Sequence, residues 1–260
     1  MALKPHLYIY IIDDNEIPMH CEKCETKKMC TLDKKGEVFI LTLTGPGEHR
    51  LNPTLLDAIQ SALNTVRAAA TSSSVALITT AHGKFFSNGY DLDWAGSDKA
   101  RSELMNSKLR SVVADFISLP LPTIAAVTGH ASAAGFILAR CHDYVLMRKD
   151  RGFVYMSEMD IALVIPAWFQ ALIKNKVGSA AARRDLMLRA DKMTAAAAVE
   201  KGIVDSAVNG AEETVEAAVR LGEELVRRKW KGHVYAQIRV DLMSEVLEEI
   251  RNHDSTRSRL

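Results

Sequence analysis

The sequence predicts an α/β protein with a parallel sheet and a helical C-terminal region. Short apolar runs rich in β-branched residues alternate with segments of helical periodicity as far as Ile165. Beyond Ile165 the pattern is almost entirely helical. Parallel strands must be joined by long crossovers, usually helices, so this alternation favours a parallel sheet layered with helices.

Local signals place the individual elements. Residues 38–44 are apolar and β-branched and are followed by Gly45-Pro46-Gly47, which predicts a strand and then a turn. Asn52 can cap a helix that has Pro53 at its first position and apolar residues at helical spacing. Further strands are predicted at 75–80, 122–128, 144–147 and 153–156, and further helices at 104–119, 132–140, 180–188, 195–201, 212–228 and 235–251.

The composition excludes several classes of function. Lysine and arginine number 33 against 32 aspartates and glutamates, so no overall field attracts nucleic acid or an anionic membrane. Hydrophobic residues make up 48% and charged residues 25%, as in an ordinary globular protein. The longest apolar runs have the length of a strand and are too short for a membrane span. We therefore expect no nucleic-acid partner and no membrane span.

The chain divides into four parts in this interpretation. Residues 1–29 show no clear periodicity and form an N-terminal extension, 30–207 a catalytic core, 208–257 a helical C-terminal region and 258–260 a terminal signal. In the extension, His20, Cys21 and Cys24 lie near Cys30, which suggests zinc. A second pair of ligands is missing, so we predict no metal site and reduced cysteines.

Two tight turns end consecutive predicted strands, FFSNGYDL at 85–92 and GHASAAG at 129–135. Ligands of open α/β sheets bind beyond the carboxyl ends of strands. The second turn also opens a predicted helix, whose first N–H groups can receive a developing negative charge. Each turn alone is commonplace, but together they predict a ligand site.

Three segments, taken in order and spacing, resemble the enoyl-CoA hydratase/isomerase (crotonase) superfamily. They are FFSNGYDL at 85–92, TIAAVTGHASAAGFILARCHDYVLM at 123–147 and MSEMDIALVIP at 156–166. The resemblance covers residues 30–207 and implies a crotonase-like repeated ββα core that acts on acyl-CoA thioesters. Coenzyme A would be part of the substrate, so no separate cofactor is expected.

The resemblance also implies an oxyanion hole made by two backbone N–H groups, on Tyr90 and Ala134. They would bind the thioester oxygen and stabilise the enolate that forms when a neighbouring proton leaves. Alanine stands at 134 where the family usually has glycine. The resemblance assigns substrate contacts to Phe86, Ser87, Asn88, Gly89, Tyr90, Asp91 and Leu92 in the first turn and to Ala133, Ala134 and Gly135 in the second.

Glu158 is the predicted catalytic base. Hydratases of this family use two glutamates, and the resemblance aligns the first with Ile137 and the second with Glu158. A single carboxylate suits a proton shuttle that converts a 3-enoyl-CoA into a 2-enoyl-CoA. Phe136, Ile137, Met156 and Ile161 are the expected apolar walls, which would raise the pKa of Glu158.

Other interpretations stay open. Glu158 and Asp160 could be two surface carboxylates on a strand edge. The enzyme could be a hydratase or a dienoyl-CoA isomerase, or the chain could be a non-catalytic acyl-CoA-binding subunit. His142 and Asp143 are expected to diverge rather than form a catalytic pair, and His130 is expected to have a local structural role.

The sequence ends in Ser258-Arg259-Leu260, a variant of the Ser-Lys-Leu peroxisomal address. It predicts recognition by a peroxisomal import receptor and a role in fatty-acid β-oxidation. The family resemblance further implies a homotrimer or hexamer assembled through the helical C-terminal region.

Overall fold

The structure, a computed structural model, describes residues 28–257, with side chains to Asn252. The strands are β1 (Cys30–Lys35), β2 (Val38–Leu43), β3 (Ala76–Ala81), β4 (Phe85–Ser87), β5 (Thr123–Val127), β6 (His130–Ser132), β7 (Tyr144–Arg148), β8 (Val154–Tyr155) and β9 (Ser206–Val208). The helices are α1 (Pro53–Ala69), α2 (Leu92–Ala95), α3 (Lys99–Ser118), α4 (Ala134–Arg140), α5 (Ala167–Lys176), α6 (Ala180–Met187), α7 (Ala195–Glu200), α8 (Ala211–Arg227), α9 (Gly232–Leu242) and α10 (Ser244–Arg257).

The strands form two sheets. The larger has six strands in the order β1-β2-β3-β5-β7-β9 and is parallel except for β1, which pairs antiparallel with β2. The smaller has three parallel strands in the order β4-β6-β8. Each of β3, β5 and β7 is followed along the chain by one strand of the smaller sheet and then a helical segment. This repeated ββα arrangement confirms the predicted fold class.

The six-stranded sheet is covered by apolar side chains on both faces. On one face Val38, Ile78 and Ile124 pack with residues of α8. On the other face lies the main core, to which α1 contributes Leu55, Leu56, Ile59, Leu63 and Val66, all buried. Asn52 caps α1 as predicted, since its Oδ1 accepts a hydrogen bond from Leu55 N at 3.1 Å.

Several predicted boundaries were wrong. The helix expected at 104–119 begins at Lys99, because the Asp98 carboxylate accepts hydrogen bonds from the first N–H groups. The helix expected at 132–140 begins at Ala134, because Ser132 belongs to β6. The helix expected at 235–251 is two helices, α9 and α10, that meet at Met243. Strands β1, β4, β6 and β9 had not been predicted.

The division of the chain into four parts is not tested by the structure and stays a prediction. Residues 1–27, with His20, Cys21 and Cys24, and the terminal 258–260 lie outside the described residues. β9 spans residues on both sides of the predicted limit at 207, and α8 packs against β3 and β5. From 28 to 257 we find no helix with the length and apolar character that crossing a bilayer requires.

Candidate active site

The three predicted catalytic residues follow the three strands of the smaller sheet. Tyr90 comes three residues after β4, Ala134 two residues after β6 and Glu158 three residues after β8. Because these strands are parallel, their carboxyl ends lie at the same edge of the sheet. The fold therefore brings Tyr90, Ala134 and Glu158 to one place although they are far apart in sequence.

The first turn directs the N–H of Tyr90 away from its neighbouring strand. Leu51 N donates to Gly89 O at 2.8 Å and Asp91 N donates to Leu51 O at 3.2 Å, which clamps the backbone on either side of Tyr90. Gly89 has a positive φ of 79°, a conformation that favours glycine. The hydrogen bonds of the described residues leave the Tyr90 N–H without an acceptor. A backbone N–H without a partner in the protein is uncommon and suits a ligand oxygen.

The second turn exposes the N–H of Ala134 at the start of α4. Ala133 precedes the helix with a positive φ of 48°, which is strained for a residue with a Cβ. Ala133 N donates to Tyr155 O at 3.0 Å and so ties the turn to β8. Ala134 N, like Tyr90 N, has no acceptor among the described residues. This strained alanine is consistent with a functional turn.

The two turns are in direct backbone contact. A Cβ added to Gly89 would lie 3.1 Å from Ser132 O and 3.5 Å from Ala134 N. A Cβ added to Gly135 would overlap the backbone carbonyl of Ser87. Glycine at these two positions therefore lets the turns approach, and the two unpartnered N–H groups lie on adjoining backbone. This is the arrangement that an oxyanion hole requires.

Side chains of the first turn mostly support the backbone. Ser87 Oγ donates to His49 O at 2.7 Å, and Asn88 Nδ2 donates to a Glu48 carboxylate oxygen at 2.7 Å. Ser132 Oγ donates to Asn88 Oδ1 at 2.5 Å and links β6 to the turn. The Asp91 carboxylate caps α2 by accepting from Trp94 N at 3.1 Å. These side chains are engaged within the protein, so substrate contacts would come from the backbone.

The remaining residues assigned to substrate binding differ in exposure. Phe86 is fully buried in the core, whereas Leu92 is 46% exposed. Ala133, Ala134 and Gly135 all lie in the second turn or at the first residues of α4. The roles of Phe86 and Leu92 in substrate binding stay predictions, with only Leu92 open to solvent.

Glu158 is a buried carboxyl group. It is 5% exposed, and its Oε2 has no hydrogen-bond partner among the described residues. It precedes a 3₁₀ helix at Met159–Ile161, and its backbone oxygen accepts from Leu163 N at 2.9 Å. Asp160, two residues later, is exposed. The interpretation of two surface carboxylates on a strand edge is therefore wrong, because β8 ends at Tyr155 and only Asp160 faces solvent.

Burial raises the pKa of Glu158 above its ordinary value, and a backbone hydrogen bond lowers it by less. Of the expected apolar walls, Phe136, Ile137 and Met156 are fully buried. The fourth, Ile161, is 48% exposed and does not form a wall, because it lies on the 3₁₀ helix beyond Glu158. A raised pKa makes Glu158 a stronger base than a surface carboxylate.

Ile137 offers no second charge beside Glu158. It lies in α4, one turn after Ala134, and is fully buried. Its side chain can neither bind a water molecule nor transfer a proton. The candidate site therefore combines a buried carboxyl group with two unpaired N–H groups, and an aliphatic side chain lies at the position that the resemblance aligns with the first hydratase glutamate.

The histidines of this region are structural. His142 is fully buried between Thr79 Oγ1 at 2.7 Å and Leu138 O at 3.0 Å, and burial lowers its pKa to about 4. Asp143 instead pairs with Arg239 at 2.7 Å, so the two side chains diverge as expected. His130 packs between Phe85 and Phe153. Over residues 28–252 we find no group of His, Cys, Asp and Glu arranged to hold a metal ion.

Two residues that were not predicted from the sequence contact the Tyr90 side chain. Tyr90 Oη donates to Asn106 Oδ1 of α3 at 2.7 Å, and its ring stacks on Phe169 of α5 with centroids 6.3 Å apart. Both contacts join distant parts of the chain, so no local spacing indicates them. Asn106 is also followed by the polar residues Ser107 and Lys108, so its polarity does not set it apart in the sequence.

Comparison with known proteins identifies the class of this chain. A family model described as enoyl-CoA hydratase/isomerase matches residues 33–259, and the chain belongs to that family. Enoyl-CoA delta isomerase 1, peroxisomal, of Arabidopsis thaliana is 63% identical over 219 residues, which are 84% of this chain and 91% of the relative. Enoyl-CoA delta isomerase 2, peroxisomal, of the same plant is 52% identical over 225 residues, 84% and 93% of the two chains.

Solved structures share the fold at lower identity. An enoyl-CoA hydratase/isomerase family protein from Pseudomonas syringae superposes with a TM-score of 0.79 at 20% identity. The superposition covers 86% of this chain and 94% of the Pseudomonas chain. A probable enoyl-CoA hydratase from Mycobacterium tuberculosis gives 0.78 at 22% identity, with coverage of 86% and 92%. The predicted family and its fold are confirmed.

Proposed function

We propose that this protein is a delta(3)-delta(2)-enoyl-CoA isomerase of fatty-acid β-oxidation. It shifts the double bond of a cis or trans 3-enoyl-CoA to give the trans-2-enoyl-CoA. Two relatives named enoyl-CoA delta isomerases, at 63% and 52% identity over most of the chain, support this activity. The observation that carries the proposal is the buried, unpartnered carboxyl of Glu158 at the same sheet edge as two backbone N–H groups without acceptors.

In the proposed reaction the thioester oxygen accepts hydrogen bonds from Tyr90 N and Ala134 N. Glu158 takes a proton from C2, and the electron pair of the C–H bond spreads over the thioester oxygen, C2 and C4 as a dienolate. Protonated Glu158 then returns the proton to C4, which leaves the double bond between C2 and C3. Each N–H donor of this kind contributes about 3 kcal/mol to stabilising the oxyanion.

The burial of Glu158 fits both halves of this reaction. Because its pKa is raised, the carboxylate removes a proton from carbon more readily, and the carboxylic acid is still able to return it. The expected walls Phe136, Ile137 and Met156 are fully buried and apolar, and beside Glu158 they would exclude competing water. One group can therefore serve as base and then as acid.

Ile137 favours isomerisation over hydration. Addition of water would need a second acid or base to orient and activate it, and Ile137 occupies the aligned position with a fully buried aliphatic side chain. A dienoyl-CoA isomerase would also need a second such group. A non-catalytic acyl-CoA-binding subunit is the other candidate, favoured by Ala134 and Ile137 but not by the unpartnered carboxyl of Glu158.

The decisive experiment replaces Glu158 by Gln and measures turnover of 3-hexenoyl-CoA by the ultraviolet absorbance of the conjugated 2-enoyl product. We expect a loss of about a hundred- to ten-thousand-fold in kcat. The matched control is Asp160→Asn, which neutralises an exposed carboxylate two residues away and should keep wild-type turnover. Wild-type turnover by Glu158→Gln would refute the assignment of the base.

Product analysis separates the competing functions. In ¹⁸O-labelled water an isomerase adds no oxygen, whereas a hydratase adds one labelled oxygen at C3. A wild-type protein that binds the coenzyme A ester but forms neither product would be the binding subunit.

We also place the enzyme in the peroxisome and propose that it is a homotrimer or hexamer. The location is supported by the two relatives named peroxisomal. Import through Ser258, Arg259 and Leu260 is tested by deleting these residues from an N-terminal fluorescent fusion, which should leave the protein outside peroxisomes. Light scattering of the purified protein tests the assembly, and a monomer would contradict it.

A further inference from the structure

The side chain of Tyr90 is held inside the protein by two helices. Its hydroxyl donates to Asn106 Oδ1 of α3 at 2.7 Å. Its ring stacks on Phe169 of α5, with centroids 6.3 Å apart and ring planes 26° apart. The residue that offers its backbone N–H to the thioester therefore also carries a large side chain whose position is fixed at both the ring and the hydroxyl.

This ring packs against the same apolar cluster that contains Phe136, Ile137 and Met156, the side chains expected around Glu158. Burial raises the pKa of the Tyr90 phenol, while the charge of Arg110 lowers it and that of Glu158 raises it by smaller amounts. The hydroxyl is thus within electrostatic range of the Glu158 carboxyl. The ring starts at the proposed oxyanion hole and extends towards Phe169 of α5, which is also in this cluster.

The acyl chain of a substrate must enter the same region. The thioester oxygen binds at Tyr90 N, and C2 to C4 must lie against Glu158, so the carbons beyond C4 continue into the protein interior. Glu158 is 5% exposed, so an acyl chain that reaches it must lie among buried side chains. The Tyr90 ring, fixed between α3 and α5, lies in the region into which a growing acyl chain extends.

We propose that the Tyr90 ring, tied to Asn106, sets the acyl-chain length that this enzyme turns over. This inference rests on the proposed isomerase function. Short 3-enoyl chains fit beside the tethered ring, whereas long chains displace it and break the hydrogen bond to Asn106. Tyr90 is then a specificity-determining residue through its side chain, apart from the role of its N–H, and Asn106 is a positioning residue.

The test compares kcat/KM for trans-3-dodecenoyl-CoA with that for trans-3-hexenoyl-CoA. Asn106→Leu keeps the volume of the side chain but removes the acceptor, and Tyr90→Phe keeps the ring and the N–H but removes the donor. We expect each to raise the ratio of long-chain to short-chain kcat/KM about three- to tenfold, the usual effect of one hydrogen bond. Because both variants break the same bond, the double variant should raise the ratio no further.

Two controls separate this role from a general effect on the fold. Ser107→Ala changes an exposed neighbour on α3 and should leave the ratio at the wild-type value. Asn106→Asp retains an acceptor for the Tyr90 hydroxyl and should keep the ratio near wild type. A ratio that is unchanged or lowered in Asn106→Leu and Tyr90→Phe would overturn the proposal, as would independent, multiplying effects in the double variant.

The same measurements distinguish failure of this inference from failure of the proposed function. If the wild-type protein isomerises neither substrate, the isomerase function is refuted. If it isomerises 3-hexenoyl-CoA and the variants lower kcat/KM equally for both substrates, only the role in chain length is refuted.

Discussion

The two sheets of this protein have different roles: the larger one forms much of the apolar core, and the smaller one positions the candidate catalytic residues. The six-stranded sheet is sandwiched between α8 and the main core and buries apolar side chains on both faces. The three-stranded sheet has strands of only three, three and two residues, yet Tyr90, Ala134 and Glu158 all follow its strand ends. Each of these short strands contributes one fully buried side chain to the main core, Phe86, Ala131 or Val154. We expect mutations in the two sheets to have different signatures.

The largest effect should come from Gly135→Ala, which acts on the smaller sheet. The added Cβ would overlap the carbonyl oxygen of Ser87 and lie 2.7 Å from its carbonyl carbon, and both are backbone atoms that cannot rotate away. The two turns would separate and the two N–H groups would lose their common target. We expect kcat/KM for 3-hexenoyl-CoA to fall at least about a hundredfold, the loss typical of removing one oxyanion donor.

The control for this variant is Gly178→Ala, since a Cβ there meets no atom within 4 Å and the backbone φ is ordinary. It should keep wild-type kcat/KM. Full activity of Gly135→Ala would show that the contact between the turns does not position the site.

The larger sheet was more predictable from the sequence than the smaller one. β2, β3, β5 and β7 have five or six residues each, long enough for an apolar, β-branched run to stand out. In the smaller sheet, β4 and β6 are too short for any period and were read as a turn and as part of a helix, whereas β8 lies within the strand predicted at 153–156. The position of Tyr90 and Ala134 came from the family resemblance rather than from periodicity.

Tertiary contacts account for the other differences. The sequence between α9 and α10 has no glycine or proline, so the helical pattern runs on without a break. In the structure Asn175 Nδ2 donates to Leu242 O at 2.6 Å and satisfies a carbonyl at the end of α9, while Met243 is buried. Asn175 lies on α5, far away in sequence. The partners of the Tyr90 side chain, Asn106 and Phe169, are equally remote.

A large but purely structural effect is expected from Ile78→Ala in the six-stranded sheet. Ile78 is fully buried on the face covered by α8, away from the main core. The variant should lose about 2–5 kcal/mol of unfolding free energy in urea titration, because it leaves a cavity. Its kcat, corrected for the folded fraction, should stay within about twofold of wild type, as the site is not touched. A much larger fall in kcat would contradict the division between the sheets.

A smaller effect is expected from Ser132→Ala, which removes the hydrogen bond from Ser132 Oγ to Asn88 Oδ1. The loss should be about 1 kcal/mol of unfolding free energy, with a rise in KM for the coenzyme A ester, because the bond links β6 to the first turn. Ser111→Ala is the matched control, since the Ser111 hydroxyl donates to Ser107 O on the surface of α3. Equal changes in KM for the two variants would show that the bond has no influence on the site.

The smallest effect concerns the stability cost of the buried base. The pKa of Glu158 is raised by burial, so the folded state binds its proton more tightly than the unfolded chain does. Above the raised folded pKa, the folded protein holds a poorly solvated carboxylate and loses stability. As the pH falls from the folded pKa to the ordinary value of an unfolded glutamate, this cost disappears.

Glu158→Gln removes that ionisation and should raise the melting temperature at pH 7 by about 1–3 °C, although it lowers kcat. The gain should shrink towards zero as the pH is lowered to the ordinary pKa of glutamate, where wild type is itself protonated. Asp160→Asn, which alters an exposed carboxylate, should show no comparable pH-dependent gain. Thermal melts of the three proteins between pH 4 and pH 8 test this. A gain for Glu158→Gln that is the same at every pH would mean that packing, rather than the buried charge, sets its stability.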